Sequence, residues 1–159
     1  MKPIIAMQTD FGVGGGSTMR GTCLKVDPEL EVYEISHSIE KFNIKAAARS
    51  LYHIVPYWPA GTVFVSVIDP GVGTSRRASV ALLNNGSYVV TPDNGALTLL
   101  LESPGIRAVR TIDETVNRLK GTEKVKWWQN ALISIMVTLC LYAMFVLGFL
   151  MFTSAILMI

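Results

Sequence analysis

Charged side chains are scarce in this sequence. They make up 16% of its 159 residues, against a usual quarter, and the shortage is local. Every Asp, Glu, Lys and Arg lies between Lys2 and Lys126, and the 29 positions from Ala131 to Ile159 carry none. Of those 29 positions, 24 are apolar. The first 130 residues are roughly 43% apolar, an ordinary value for a domain with a core, which excludes a disordered chain. A net charge of only +2 excludes a strongly basic nucleic-acid binder. Cysteine is rarer still, and Cys23 and Cys140 lie in segments of different character, so no disulfide scaffold is built on them. The histidines number two, His37 and His53, and read as structural residues. No Cys, His and carboxylate spacing matches a metal site, so no metal is expected.

Familiar phosphate loops are missing as well. Gly12-Val13-Gly14-Gly15-Gly16-Ser17 fails the G-x-G-x-x-G pattern at its last position, and Gly71–Ser79 contains no Gly-Lys-Ser/Thr. The N-terminus lacks the apolar stretch of a signal peptide, because Ile4–Met7 is followed at once by Gln8-Thr9-Asp10. The globular part is therefore expected in the cytoplasm. The uncharged run at the other end would measure about 43 Å as a helix, longer than a bilayer's hydrocarbon core of about 30 Å. Lys124 and Lys126 precede it, and Trp127-Trp128 sit where an interfacial aromatic belt would lie. Read literally, residues 131–159 are a transmembrane helix; a buried core helix is the plainer alternative.

Between these ends the pattern is that of an α/β domain. Ile4–Thr9, Glu31–Ser36 and Thr62–Ile68 read as strands, the third β-branched and central. Ser17 can cap a helix running to Val26, and Asn43–Val55 carries apolar residues at helical spacing before Pro56. Asn84-Asn85-Gly86 between Ala78–Leu83 and Tyr88–Thr91 signals a hairpin. Ala96–Glu102 reads as a short helix and Arg107–Ile112 as a last strand. The prediction is an α/β fold with a central, mostly parallel sheet flanked by helices, plus the apolar C-terminal helix.

In such folds, ligands sit beyond the carboxyl ends of the strands. Asp10 follows the first strand and Asp69 the third, and glycine-rich turns after each let a ligand approach the backbone. A carboxylate there accepts hydrogen bonds from hydroxyls or orients a water. It can equally cap a turn.

Several motifs then fall in a telling order. They are Thr9-Asp10-Phe11-Gly12, Ile35-Ser36-His37-Ser38-Ile39, Pro59-Ala60-Gly61-Thr62-Val63, Asp69-Pro70-Gly71-Val72-Gly73-Thr74-Ser75-Arg76 and Thr91-Pro92-Asp93-Asn94-Gly95. Together they resemble the N-terminal domain of the S-adenosylmethionine (SAM) hydroxide adenosyltransferases, or SAM hydrolases, relatives of the fluorinating and chlorinating enzymes. The resemblance divides the chain into a hydrolase-like domain over 1–124 and an apolar segment over 125–159. It implies conversion of SAM and water to adenosine and L-methionine, with SAM as substrate, no cofactor, and a homotrimer whose sites lie between subunits. It also implies that Asp10 holds the ribose hydroxyls, that Phe42 is the aromatic residue near the sugar, and that Asp69 and Arg76 serve to activate the water.

The chain departs from the family in three places. The Gly14–Thr18 loop is about two residues shorter and lacks an acidic residue. After Lys124 the family continues into Thr-Phe-His-Gly-Arg-Asp, which holds a third catalytic residue, a histidine; here Val125-Lys126-Trp127-Trp128 and the apolar run follow. The family's C-terminal domain is not found. These departures lead to two expectations for 125–159, a membrane anchor or out-of-frame translation. They also lead to two for function: a truncated hydrolase of weak or no activity, or a non-catalytic, membrane-tethered module that binds adenosine or SAM. An interaction subunit that completes its sites with a full-length homologue is a third.

Overall fold

The computed structural model describes residues 4–71 and 74–113. Its elements run β1 (Ile5–Thr9), α1 (Gly15–Val26), β2 (Val32–Ser36), α2 (Ile44–Ile54), β3 (Val63–Val67), β4 (Ala78–Leu83), β5 (Tyr88–Pro92) and β6 (Ile106–Thr111). The strands form one sheet in the order β2-β1-β3-β5-β4-β6. β1 pairs in parallel with β2 and β3, and β3 with β5, while β4 is antiparallel to both β5 and β6. β4 alone runs against the other five, so the sheet is mostly parallel, as expected. The apolar helix over 131–159 and the boundary at 124 lie outside the described residues. Among the described residues, no helix is long and apolar enough to cross a membrane.

Burial explains the strand sequences. All five residues of β1 and of β3 are buried, because each strand has neighbours on both sides and cover on both faces. β4 alternates buried and half-buried residues, and β6 is exposed along nearly its whole length. One face of the sheet carries Ile5, Met7, Val63 and Val65, packed in one cluster with Met19 and Cys23 of α1. The other carries Ala6, Phe64 and Val89, clustered with Leu51 of α2 and with Val55 and Leu100. Gln8, fully buried, ties this second layer to the sheet: its Nε2 donates to the Ala47 carbonyl at 3.1 Å and to Ser66 Oγ at 2.9 Å.

The helix ends differ in how local their causes are. Asn43, the first residue of the expected helical segment, caps α2, its side chain accepting from the Ala46 N–H at 2.9 Å. α1 instead begins at Gly15, two residues before Ser17, after an N-cap at Gly14 whose φ of 93° suits glycine. Ser17 lies exposed in the first turn and caps nothing. The reason is tertiary: Gly16 is buried against the His37 ring and the Glu34 carboxyl group, and a Cβ there would collide with both. The segment Ala96–Glu102 contracts to a 3-10 turn over Thr98–Leu101 that buries Leu100.

The glycines of α1 give a paired test. Gly21 meets nothing within 4 Å, so Gly21→Ala should stabilise the domain by about 0.5–1 kcal/mol through helix propensity. Gly16→Ala should destabilise it by about 1–3 kcal/mol through overpacking. Urea unfolding of both variants checks the opposite signs.

Candidate active site

The parallel strands end side by side, so the residues that follow them form one edge. Thr9 stands opposite Val67 in the β1–β3 register, which brings Asp10 and Asp69 to adjacent strand ends about 4.8 Å apart in the pairing direction. His37 follows β2 on one side of this pair, and Asn94 follows β5 on the other.

Asp10 is 8% exposed, and its Oδ2 accepts the Phe42 N–H at 2.8 Å. Its Oδ1 has no partner among the described residues. Phe42 adopts φ 62°, a left-handed backbone that a bulky residue rarely takes, and its ring is 60% exposed. The buried carboxylate thus holds a strained backbone that presents an aromatic ring beside it. Sequence reasoning brought these two residues together only through the family resemblance; the structure brings them into contact.

Asp69 is equally buried. Its Oδ1 accepts the Gly71 N–H at 3.0 Å, and its Oδ2 is bound by Arg76 Nη2. Arg76 Nη1 donates to the Arg77 carbonyl at 2.7 Å. The guanidinium is therefore clamped between a carboxylate and a backbone carbonyl, and a charge-assisted pair of this kind holds its geometry well. Arg76 borders a cavity of about 280 Å³ lined also by Thr74, Ser75 and Ile112. Asp10 and Phe42 do not line it, and Phe11 and Val13 beside them are exposed. The described residues make an open shelf: two buried carboxylates, one paired with a guanidinium, beside an exposed aromatic ring. Such a shelf can accept hydrogen bonds from hydroxyls and orient a water.

Two further contacts involve residues that the quoted motifs contain but to which no role was given. Asn94 Nδ2 donates to the Ile68 carbonyl at 2.8 Å, across the β3–β5 gap. His37 Nδ1 and Thr9 Oγ1 share a hydrogen bond of 2.8 Å whose donor depends on the tautomer. The His37 carbonyl also accepts the Gly12 N–H at 2.8 Å, fixing the loop after Asp10. Both residues lie within quoted motifs and close after parallel strands, but neither sign discloses the contact partner. His53 lies in α2, edge-on to Tyr52, away from this edge.

A family model matches this architecture over residues 5–131: the SAM hydroxide adenosyltransferase N-terminal domain. The chain belongs to the SAM hydroxide adenosyltransferase family. A relative from Methanocaldococcus jannaschii named (R)-S-adenosyl-L-methionine hydrolase is 40% identical over 117 residues, which are 70% of this chain and 44% of that protein. A fluorinase from Actinopolyspora mzabensis is 25% identical over 138 residues, 72% of this chain and 46% of its own length. The crystal structure of an uncharacterized conserved protein from Thermotoga maritima superposes with a TM-score of 0.72 at 30% identity, covering 87% of this chain and 54% of that one. The chain thus spans less than half the length of the curated relatives it matches.

The site predicts a pH dependence of stability. Burial lowers the His37 pKa below its ordinary 6.5, and the Glu34 carboxylate, 3.9 Å from Nε2, opposes the shift. Protons then bind the unfolded chain first as pH falls. The stability from a neutral His37 is complete above about pH 6.5 and is lost below it, toward the lowered folded pKa. Thermal melts between pH 7.5 and 5.5 should show a steeper loss for the native chain than for His37→Asn.

Proposed function

We propose that this chain supplies the water-directing and ribose-holding half of an S-adenosylmethionine hydrolase site, within a hydrolase-type domain spanning residues 1–124. The observation that carries the reading is the pair of buried Asp69 with half-buried Arg76, one strand away from buried Asp10, in a chain of this family. Water attacks C5′ of SAM. A C5′–O bond forms, the C5′–S bond breaks, and its electron pair passes to sulfur, turning the sulfonium into the neutral thioether of L-methionine. The water's proton leaves through Asp69 to solvent, and adenosine is the other product. No acid is needed at the leaving group. The demand is an oriented nucleophile within about 3–3.5 Å of the carbon.

The residues suit these roles. Asp69 accepts from the water as orienting base, while Arg76 fixes its far oxygen and faces developing hydroxide with positive charge. The open Oδ1 of Asp10 suits ribose hydroxyls, and the exposed Phe42 ring suits the face of the sugar. SAM is the substrate and no cofactor takes part. A homotrimer, in which a neighbouring subunit covers the shelf, is the assembly that fits this reading.

The openness of the shelf among the described residues favours a second reading, in which the chain binds adenosine or SAM without turnover. Catalysis of this kind needs water excluded around the reacting carbon. Chromatography of adenosine and methionine released from SAM, run beside calorimetric titration with SAM, separates the two. Release supports hydrolysis, and binding without release supports the module. The absence of both release and binding would overturn both readings.

Two substitutions sharpen the assignment. Asp69→Asn should lower kcat by about 10²–10⁴-fold with little change in KM, because the carboxylate acts on the water. Equal losses in both would make Asp69 a substrate holder. Phe42→Gly should relieve about 1–3 kcal/mol of backbone strain, raising the melting temperature, while it weakens SAM binding. Thermal melts and titration on the same variant read the two effects separately.

A further inference from the structure

The Asp69–Arg76 pair is held in place from another strand. β3 and β5 share ladder partners only as far as Val65 and Val90, so the backbone of Ile68 continues past the end of their pairing. At that point a side chain replaces the ladder: Asn94 Nδ2 donates to the Ile68 carbonyl at 2.8 Å. That carbonyl belongs to the peptide joining Ile68 to Asp69, so the bond fixes the plane from which the Asp69 side chain departs. Asn94 is itself pinned, its Oδ1 accepting the Ala96 N–H at 3.2 Å. The preceding residue reaches the other partner of the pair. The Asp93 N–H donates to the Arg77 carbonyl at 2.9 Å, the same oxygen that receives Arg76 Nη1. Asp93 also pairs with Arg77 at 3.5 Å. One turn after β5 therefore grips the carboxylate through its peptide and the guanidinium through a shared carbonyl.

We infer that Asn94 is a positioning residue for the Asp69–Arg76 pair, setting the carboxylate through the Ile68–Asp69 peptide. The inference deepens the hydrolase reading and rests on it for its catalytic meaning; the positioning itself has a readout of its own. A residue that merely stabilises the turn would change melting temperature alone. A positioning residue changes the state of the pair in a protein that stays folded. In turnover it acts on the attack geometry, lowering kcat with KM little altered.

The test is nuclear magnetic resonance on the full chain. Arg76 Nε is buried without a hydrogen-bond partner among the described residues, so its N–H proton should exchange slowly while the guanidinium is clamped. Asn94→Ser keeps a side-chain oxygen for the turn and loses the reach to Ile68. It should speed Arg76 Nε–H exchange by about tenfold or more and shift the Asp69 carboxyl carbon resonance. Asn94→Asp, which keeps the turn and replaces the donor by an acceptor, should do the same, and serves if the serine variant fails to fold. Thr98→Ala removes the Thr98 Oγ1 bond to the Gly95 carbonyl, 2.8 Å long, in the same turn, and should leave both signals unchanged. Unchanged signals in a folded Asn94 variant, or an equal effect from Thr98→Ala, would overturn the inference. So would unfolding of both Asn94 variants, which would make the residue a structural one. Adenosine release, measured alongside, is independent. If it is absent while the signals move as expected, the hydrolase reading falls and the positioning stands.

Discussion

Everything at the candidate site depends on the register between β1 and β3. The two strands pair without a slip from Ile5 opposite Val63 to Thr9 opposite Val67. Side chains alternate between faces, so a one-residue slip of β1 would turn Met7 out of the α1 layer, and one of β3 would turn Val65 out of that layer and Phe64 out of the α2 layer. The register is thus enforced by burial on both faces at once. The same enforcement delivers Asp10 and Asp69 to neighbouring strand ends. The core and the site are products of one alignment, and a core substitution that loosened it would be felt at the carboxylates.

The edge so formed is costly to maintain. Two carboxylates are nearly buried, and a phenylalanine sits in a left-handed conformation. Each has a local remedy. Arg76 and the Gly71 N–H satisfy Asp69, and the Phe42 N–H satisfies one oxygen of Asp10. Removing Arg76 would leave the buried Asp69 carboxylate without its charged partner, so the carboxylate depends on the half-buried guanidinium structurally as well as chemically. Stability and function are therefore entangled at this edge, and substitutions there need a folding measurement beside any functional one.

The parts of the fold fixed by local chemistry were legible in the sequence. The largely apolar, β-branched run of β3 marked a central strand, Asn43 marked the start of α2, and Asn85-Gly86 marked the β4–β5 hairpin. Positions set by distant partners were not. Ser17 resembled a cap, but the His37 ring against Gly16 decides where α1 begins. Asp10, Asp69, Phe42 and Arg76 entered through strand-end position or motif resemblance, and their contacts could not be read from spacing. Phe42 shows why: its N–H reaches a carboxylate 32 positions earlier, and nothing in its neighbours' identities announces a positive φ. Asn94 stood in plain view within a motif, yet its partner is a backbone carbonyl, which sequence never displays.

The exposed last strand has its own significance. Among the described residues β6 closes the sheet on one side with no strand beyond it, and an open edge of this kind invites recruitment of an identical edge from another molecule. Its sequence, Ile106-Arg107-Ala108-Val109-Arg110-Thr111, places one arginine on each face. Were two such strands to meet antiparallel about the Ala108–Val109 bond, Arg107 of each would stand directly opposite Arg110 of the other. Like charges at such cross-strand positions repel. The border of the sheet thus carries its own electrostatic fence against runaway polymerisation, on the side away from β1, where Asp10 sits.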